Sequence, residues 1–476
     1  MLFMAVFALA SCLNDDNEYV YTDDSAITSF SVTGAKRYIH TKTKKEGKDS
    51  VYTVTSSYTS YKFCIDQNNN TIYNPDSLPC GVDAKKLVCT ATGLNSMAVL
   101  IKSLKDESLE YISGTDSLDF SQERELQVMS NSGKQLRKYK VKVNIHKEQA
   151  DSFFWKPMAK NAEIEQLTAV KTCAVKTAEG GVRLFLFGND GTHTRVYVMN
   201  DGQTWRAATP NFNGVLAADA YEGVVTKDDK VYLSHGGNII CTTDGNNWKQ
   251  TGSTTGVKKL VAASPLRLYG YNAEGQLVAS ADNGATWTVA TIDSDAAFLP
   301  VTNHSYTCNA LVTNNDSYRV TLYGTTADGK MAVWGKVDEG AAHSENQPWT
   351  YYEVSADNKH ALPKLKNMSV ATYDGKTYAL GTPDGSSDID AKLYSSKDGG
   401  LTWAKDTTLS VPADLTLGTN ALNEPRMALT VDSDNFIWIV NAKSGSTWRG
   451  RINRLGWKKE ETDFKEKKKR TDRANG

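Results

Sequence analysis

The sequence predicts an all-β protein, with an immunoglobulin-like β-sandwich over residues 26–148 and a six-bladed β-propeller over residues 155–462. Three observations predict this. Short segments of alternating apolar and polar residues end in Gly or Asn turns, and no long helical stripe competes with them. An octapeptide ending in Trp recurs through the second half. All ten Trp follow residue 154, so the composition changes at the predicted boundary.

The opening residues, MLFMAVFALASC, predict a signal peptide over residues 1–11. The apolar run is too short to span a bilayer as a helix but suits an export signal. Leu9-Ala10-Ser11-Cys12 resembles the cleavage box of bacterial lipoproteins, although no Lys or Arg precedes the apolar run. The resemblance implies that Cys12 carries a lipid that attaches the chain to a membrane.

Residues 12–25, which begin with Cys12, form an acidic segment. Its start, CLNDDNE, resembles the surface-export signal of lipoproteins in Bacteroides-like bacteria. The resemblance implies an outer-membrane protein on the cell-surface or periplasmic side. The same composition also suits a solvated linker, and that alternative stays open.

The segment before residue 149 alternates as β-strands do. In RKYKVKVNIHK, Tyr139, Val141 and Val143 share one face and Lys residues the other. A hairpin is predicted around Asn131-Ser132-Gly133. This pattern favours a β-sandwich, and it resembles the spacer modules that precede the main domain in many Bacteroides surface lipoproteins.

Six Cys remain besides Cys12, and no C-x-x-C or His/Cys cluster predicts zinc. Cys64, Cys80 and Cys89 are close enough in sequence for one disulfide, whereas the other three lie in apolar runs typical of a core.

The net charge of −1 and the pI near 6.7 give no electrostatic case for nucleic-acid binding. The basic run KEKKKR lies in residues 463–476, which are predicted to be a charged, disordered tail.

Six repeat units follow the boundary. Each has an apolar strand, a tight turn, a second strand, a Gly-rich turn and a third strand before a frame Trp, at Trp205, Trp248, Trp287, Trp349, Trp403 and Trp457. The strand after each Trp is expected to complete four antiparallel strands, which make one propeller blade. Closing the blades into a ring removes exposed sheet edges.

Two units carry the pattern Ser-x-Asp-x-Gly-x-Thr-Trp in full: Ser280, Asp282, Gly284, Thr286 and Trp287, and Ser396, Asp398, Gly400, Thr402 and Trp403. This resembles the Asp-box, or BNR repeat, of sialidase-like propellers. The whole chain resembles an uncharacterised group of Bacteroides-type lipoproteins with a small N-terminal β-domain. We expect the box to be structural: Gly permits a positive φ, the carboxylate accepts turn N–H groups, and Trp buries its ring. In the resembling propellers it lies on the face opposite the active site.

The resemblance suggests sialidase activity as a hypothesis. Sialidases use three Arg to hold the substrate carboxylate, and the first of them belongs to an Arg-Ile-Pro or Arg-Leu-Pro motif. No Arg here precedes such a pair, and Arg183, Arg267 and Arg319 share one repeat position. A two-carboxylate glycoside hydrolase or lyase stays open, because loops contain Asp190, Asp293, Asp295, Asp384, Asp388 and Glu424. We assign no catalytic residue.

Neither a metal nor a cofactor is expected. His193, His235, His304 and His360 lie in predicted loops, but their spacing is not that of metal ligands.

The predicted ligand face comprises the loops before the first strand and between the second and third strands of each unit. Aromatic and polar side chains there suit sugar hydroxyls or a protein partner. The candidates are Phe212, Phe298, His304, Tyr306, Glu424, Arg426 and Trp448, and burial of Trp448 in the last unit is an alternative. The favoured function is carbohydrate binding, with a glycosidase or lyase and an outer-membrane scaffold as alternatives.

Overall fold

The computed structural model describes residues 21–42, 49–312, 314–340, 347–354, 358–385, 390–415 and 426–459. The predicted signal peptide, Cys12, Asp388, Glu424 and the basic tail lie outside these residues. In the described part of the chain, no helix is both long and apolar enough to cross a membrane. The chain divides into two compact units, Met1–Ala150 with Trp457–Gly476, and Asp151–Gly456.

The N-terminal unit consists of two β-sheets. Its strands are β1 (Ile27–Lys42), β2 (Asp49–Ser56), β3 (Cys64–Asp66), β4 (Thr71–Tyr73), β5 (Val82–Gly93), β6 (Val99–Lys102), β7 (Leu109–Tyr111), β8 (Ser117–Leu118), β9 (Arg124–Met129) and β10 (Leu136–Lys142). One sheet has the order β2-β1-β5-β8 and the other β3-β4-β10-β9-β6-β7. A 3-10 turn, Leu94–Ser96, precedes β6.

One hydrophobic core lies between these sheets. Tyr139 and Val141 of β10 are fully buried, as their alternation predicts, and Gly133 turns the β9–β10 hairpin with a φ of 75°. The disulfide considered for Cys64, Cys80 and Cys89 is absent, because all three are free thiols and Cys89 is buried in the core.

The described residues of the second unit form six antiparallel sheets, numbered here in chain order. Sheets 1 to 3 contain β12 (Ala169–Lys176), β13 (Val182–Asn189), β14 (His193–Met199) and β15 (Arg206–Ala207), with β16 (Leu216–Ala217) also paired to β14; β17 (Val225–Lys227), β18 (Lys230–His235), β19 (Asn238–Thr242) and β20 (Trp248–Ser253); and β21 (Lys259–Ala263), β22 (Leu268–Tyr271), β23 (Leu277–Ser280) and β24 (Thr288–Val289).

Sheets 4 and 5 contain β25 (Thr302–Ala310), β26 (Ser317–Thr325), β27 (Met331–Glu339) and β28 (Thr350–Tyr351); and β29 (Leu365–Tyr373), β30 (Lys376–Pro383), β31 (Lys392–Ser396) and β32 (Ala404–Lys405). Sheet 6 contains β33 (Met427–Val431), β34 (Ile437–Asn441), β35 (Ser446–Ile452) and β11 (Phe153–Pro157). Short helical segments are α1 (Ala162–Glu165) and the 3-10 turns Ala220–Gly223, Ala296–Phe298, Ala413–Leu415 and Asn453–Gly456.

The first strand of each sheet lies beside the first strand of the next sheet, and β33 lies beside β12. The six sheets therefore follow one another in a closed succession. Buried clusters between neighbouring sheets combine residues of both, as where Phe187 of sheet 1 meets Trp248 of sheet 2 with ring centroids 6.4 Å apart. Apolar contacts of this kind hold the sheets together.

Sheet 6 is closed by the N-terminal strand of this unit, whereas the repeat predicted a strand after Trp457. Strand β11 pairs with β35 from Phe153↔Ile452 to Pro157↔Trp448. Trp457 lies instead in the N-terminal unit, where its ring stacks on His146 at 3.3 Å between centroids. The two ends of the second unit thus meet in one sheet.

We expect Phe153→Ala to lower the free energy of unfolding by about 2–3 kcal/mol, because its ring packs on the core of sheets 5 and 6. Urea denaturation followed by Trp fluorescence measures this unit, because only Trp457 lies outside it.

The matched control is Phe154→Ala, next along the same strand, whose side chain is 74% exposed. It should change the free energy by no more than about 0.5 kcal/mol. Equal effects of the two substitutions would contradict a closing role for the inner face of β11.

Candidate functional site

The octapeptide Ser280–Trp287 forms the turn between β23 and β24 and is held by its own side chains. The Asp282 carboxylate accepts hydrogen bonds from Ser280 Oγ at 2.7 Å, from Thr286 N at 2.9 Å and from Thr286 Oγ1 at 2.6 Å. The hydrogen bonds from the Thr286 hydroxyl and amide lower the pKa of Asp282 to about 2. Ser280 Oγ accepts from Gly284 N at 2.8 Å. The carboxylate is therefore occupied by the turn itself.

The second copy, Ser396–Trp403, repeats this network. Asp398 accepts from Ser396 Oγ and from the amide and hydroxyl of Thr402, and Gly400 N donates to Ser396 Oγ. Trp403 Nε1 donates to the Gly400 carbonyl at 2.9 Å. We refer to these two segments as the octapeptide turns.

The first octapeptide turn also packs on the preceding sheet. Gly284 has a φ of 94°, and a Cβ there would come within 2.8 Å of the Ile239 side chain of β19. Ser253 N donates to the Gly284 carbonyl, and Trp287 Nε1 donates to the Ser253 carbonyl at 3.3 Å. Glycine is required because the chain both turns and closely approaches its neighbour.

The octapeptide turns lie at one end of the sheets. The first and third strands of a sheet run in the same direction, because both are antiparallel to the second. The octapeptide turns follow third strands, so they lie where the first strands end. The opposite face contains the starts of the first strands.

A cavity of about 460 Å³, here called the axial pocket, opens at that opposite face. Its lining comes mainly from the starts of β12, β25, β29 and β33, with the turn after β30 and the residues before β17. A second cavity of about 480 Å³, the central channel, lies between the first strands of all six sheets. Both are lined by Lys171, Ser305 and Ser369, so the pocket leads into the channel.

Four cationic side chains and two carboxylates line the axial pocket. They are Lys171, Lys364, Lys366 and Arg426, and Glu222 and Asp384. Glu222 forms an ion pair with Lys259, while Asp384 is 2.7 Å from Lys364 Nζ and 3.7 Å from Lys366 Nζ. The hydrogen bond from Lys364 holds the pKa of Asp384 below its usual range. The carboxylates are thus bound by lysines, and cations outnumber carboxylates among the described lining residues.

Two half-buried groups of the pocket have lowered pKa values. Burial, with the positive charge of Lys259, lowers the pKa of Lys171 to about 8, and its Nζ donates to the Glu222 carbonyl at 3.0 Å. Burial lowers the pKa of His304 to about 4, so its ring is neutral at pH 7. His304 Nε2 is 3.0 Å from the Pro300 carbonyl and must carry the proton, which leaves Nδ1 as an acceptor with no partner in the described structure.

The central channel is polar as well. The hydroxyls of Thr172, Thr307 and Thr372 are buried there and have no hydrogen-bond partner among the described residues. Each comes from the first strand of a different sheet. The channel therefore offers polar groups to small molecules that enter from the pocket.

The predicted ligand residues do not form one cluster. His304 and Arg426 line the axial pocket, and Tyr306 lines the central channel, where its hydroxyl accepts from Thr226 N at 2.8 Å. Phe212 packs with His235 at 4.3 Å between ring centroids, and Phe298 stacks on Tyr351 at 4.9 Å.

Trp448 lies on β35 of sheet 6. It is half-buried, and its indole N–H has no partner among the described residues. Glu424 lies outside the described residues.

Of the loop carboxylates considered for hydrolysis, Asp384 alone among the described ones lines the axial pocket. Asp190 binds Arg195 at 2.6 Å, and Asp295 accepts from the Ala297 amide at 2.9 Å. No group of three potential metal ligands occurs in the described part of the chain.

The comparisons with known proteins identify the family. Residues 149–460 match the DUF6242 beta propeller domain, and residues 30–143 match the DUF6242 N-terminal domain, a domain of unknown function. The chain belongs to the DUF6242 family. It is therefore an all-β protein with a β-propeller domain. No curated protein matches the chain.

Several solved structures resemble the DUF6242 chain at low identity. "YCF48 bound to D1 peptide" is 14% identical with a TM-score of 0.32, over 63% of this chain and 95% of that one. AofleA from Arthrobotrys oligospora is 11% identical with a TM-score of 0.36, over 61% and 83%. A Trypanosoma rangeli sialidase is 11% identical with a TM-score of 0.33, over 61% and 55%.

Sequence reasoning missed the lysines of the axial pocket. Lys171 is the third residue of β12, and Lys364 and Lys366 flank the start of β29. These lysines share one sequence feature that could have identified them. Each lies within three residues of the start of a first strand, where the loops converge on the channel. The ligand residues predicted in these loops were aromatic residues, Glu424, His304 and Arg426, and none was a lysine.

We expect Asp282→Ala to lower the free energy of unfolding at pH 7 by about 1–2 kcal/mol, because three hydrogen bonds to the carboxylate are lost. The folded-state pKa is lowered, so the carboxylate stabilises the fold above pH 4 and stops doing so as the pH falls towards 2. The difference between the proteins should shrink over that range in urea titrations.

The control is Glu274→Gln, an exposed carboxylate on the turn at the other end of β23. It should leave the free energy of unfolding unchanged. An Asp282→Ala effect that is constant from pH 7 to pH 2 would contradict the role of the ionised carboxylate.

Proposed function

We propose that this DUF6242 protein binds a carbohydrate in the axial pocket without turning it over, as a lipid-anchored protein on the cell-surface or periplasmic side of the outer membrane. The axial pocket is the observation that carries the proposal. Its volume of about 460 Å³ falls in the range of roughly 300–1,000 Å³ usual for small-molecule sites.

The chemistry of the pocket suits sugar hydroxyls, which both donate and accept hydrogen bonds. His304 Nδ1 is an acceptor without a partner among the described residues, while Lys364 and Arg426 supply donors. The hydroxyl-lined channel continues the polar surface inward. A mainly apolar ligand would leave the buried His304 Nδ1 and the buried channel hydroxyls unpaired, at a cost of about 1–3 kcal/mol each.

The state of Asp384 favours binding over hydrolysis. A glycosidase of the two-carboxylate type needs one carboxylic acid with a raised pKa to protonate the leaving group. The pKa of Asp384 is lowered by its hydrogen bond with Lys364 and by Lys366 nearby, and Glu222 is paired with Lys259. Neither carboxylate is therefore arranged as the proton donor that such a glycosidase needs.

The architecture that we propose for this site is a ring of six blades, one for each four-stranded unit, after an immunoglobulin-like sandwich. The closed succession of first strands supports the ring, and the two sheets around one core support the sandwich. The axial pocket would then lie on the ring axis, on the face opposite the octapeptide turns.

We expect Thr302→Trp to weaken binding to carbohydrates on a glycan array at least about 10-fold, because the exposed side chain lies in the pocket lining and the indole would fill the space. The control is Thr350→Trp, also exposed and on the outer strand of the same sheet. It should bind as the parent protein does.

The same protein is screened for release of reducing sugar from each glycan that it binds. Turnover that Thr302→Trp abolishes would contradict the non-catalytic proposal and favour a hydrolase or lyase. Tight binding to an outer-membrane protein, without binding to any glycan, would favour a scaffold.

The anchor is tested separately. We expect labelled palmitate to be incorporated in bacteria that produce the parent protein and to be absent from Cys12→Ser, because lipid is attached through the Cys12 thiol. Membrane fractionation should place the parent with the outer membrane and the variant in soluble fractions. Equal labelling of both would contradict lipidation at Cys12.

A further inference from the structure

Among the described residues that line the axial pocket, four side chains are cationic and two are carboxylates. The Glu222 carboxylate forms an ion pair with Lys259. The Asp384 carboxylate forms ion pairs with Lys364 and Lys366. Both carboxylates of the described lining are therefore engaged by lysines other than Lys171.

Arg426 and Lys171 are the cations that the pocket carboxylates leave without an ion pair. Arg426 lies at the start of β33 and forms no ion pair with any described residue. The hydrogen bond of Lys171 Nζ goes to a neutral carbonyl, that of Glu222. Burial and the charge of Lys259 lower the pKa of Lys171.

The pocket cations lie at the starts of adjacent first strands. Strand β33, which follows Arg426, contacts β12 with Lys171 on one side and β29 with Lys366 on the other. These three cations thus form one arc over three neighbouring sheets, with Arg426 in its middle. Cations gathered in this way repel one another unless an anion lies between them.

We propose that the axial pocket binds an acidic saccharide, whose carboxylate or sulfate group pairs with Arg426 and Lys171. The inference rests on the carbohydrate binding proposed above and adds the charge of the ligand. A guanidinium donates two parallel hydrogen bonds to a carboxylate or sulfate, which gives geometric as well as electrostatic preference. His304, neutral at pH 7, is left for a hydroxyl group of the same sugar.

The test compares matched glycans on the intact protein. The probes are oligogalacturonate, the same oligosaccharide with its carboxylates methyl-esterified, and a set of sulfated and desulfated glycosaminoglycan oligosaccharides. We expect the acidic member of at least one pair to bind at least about 10-fold more tightly than its neutral counterpart. The carboxylate and sulfate pairs tell which anionic group is recognised.

Substitutions of the arc cations test whether they bind the acidic glycan. Arg426→Gln and Lys171→Met should each weaken binding of the acidic glycan about 10-fold or more, because each removes a charge-assisted hydrogen bond. Arg426→Lys keeps the charge and should restore part of the affinity, which a folding defect would not allow. The control is Lys405→Gln, an exposed lysine on outer strand β32, and it should bind as the parent does.

Two results would overturn the inference while leaving carbohydrate binding intact: neutral glycans that bind as tightly as acidic ones, or acidic binding that neither Arg426→Gln nor Lys171→Met weakens. If no glycan binds, the proposed function fails. Anion binding is then tested by the midpoint temperature of thermal unfolding in sodium sulfate or sodium acetate, which these salts should raise more in the parent than in Arg426→Gln. Equal stabilisation would overturn the anion site as well.

Discussion

The structure depends on the packing of six first strands side by side around a polar channel. Each first strand contacts the next, and β33 contacts β12, so the succession has no free end. Sheet 6 is completed by β11, so the beginning and the end of the unit are paired in one sheet. This closure places the unpaired edges of the first strands around the channel, and it directs the loops at the strand starts towards one common opening.

The octapeptide turns and the axial pocket lie at opposite ends of the sheets. The carboxylates of Asp282 and Asp398 accept hydrogen bonds within their own turns, and Gly284 allows its turn to approach the neighbouring sheet. The turns thereby fix the spacing of the sheets. At the other end, Lys171 and Arg426 line the axial pocket at the mouth of the central channel.

Most strands and turns of the fold could be predicted from the sequence. Alternation predicted the buried residues of β10, the Gly turn predicted its hairpin, and the repeat predicted the first three strands of each sheet of the propeller domain. These features are local, because strand alternation and turn chemistry depend on residues a few positions apart. The role of Ser280 and Asp282 within the octapeptide turn was predictable for the same reason.

The tertiary structure alone decided the closure and the site. Trp457 continues the repeat in the sequence, yet the strand that completes sheet 6 comes from Phe153–Pro157, about 300 residues away, and pairing over such a separation leaves no periodic signal. The pocket brings together Lys171 of β12 with Lys364 and Arg426, which immediately precede β29 and β33. In the sequence each is an isolated charge, whereas closure of the succession makes them neighbours in a partly buried space, where their charges act together.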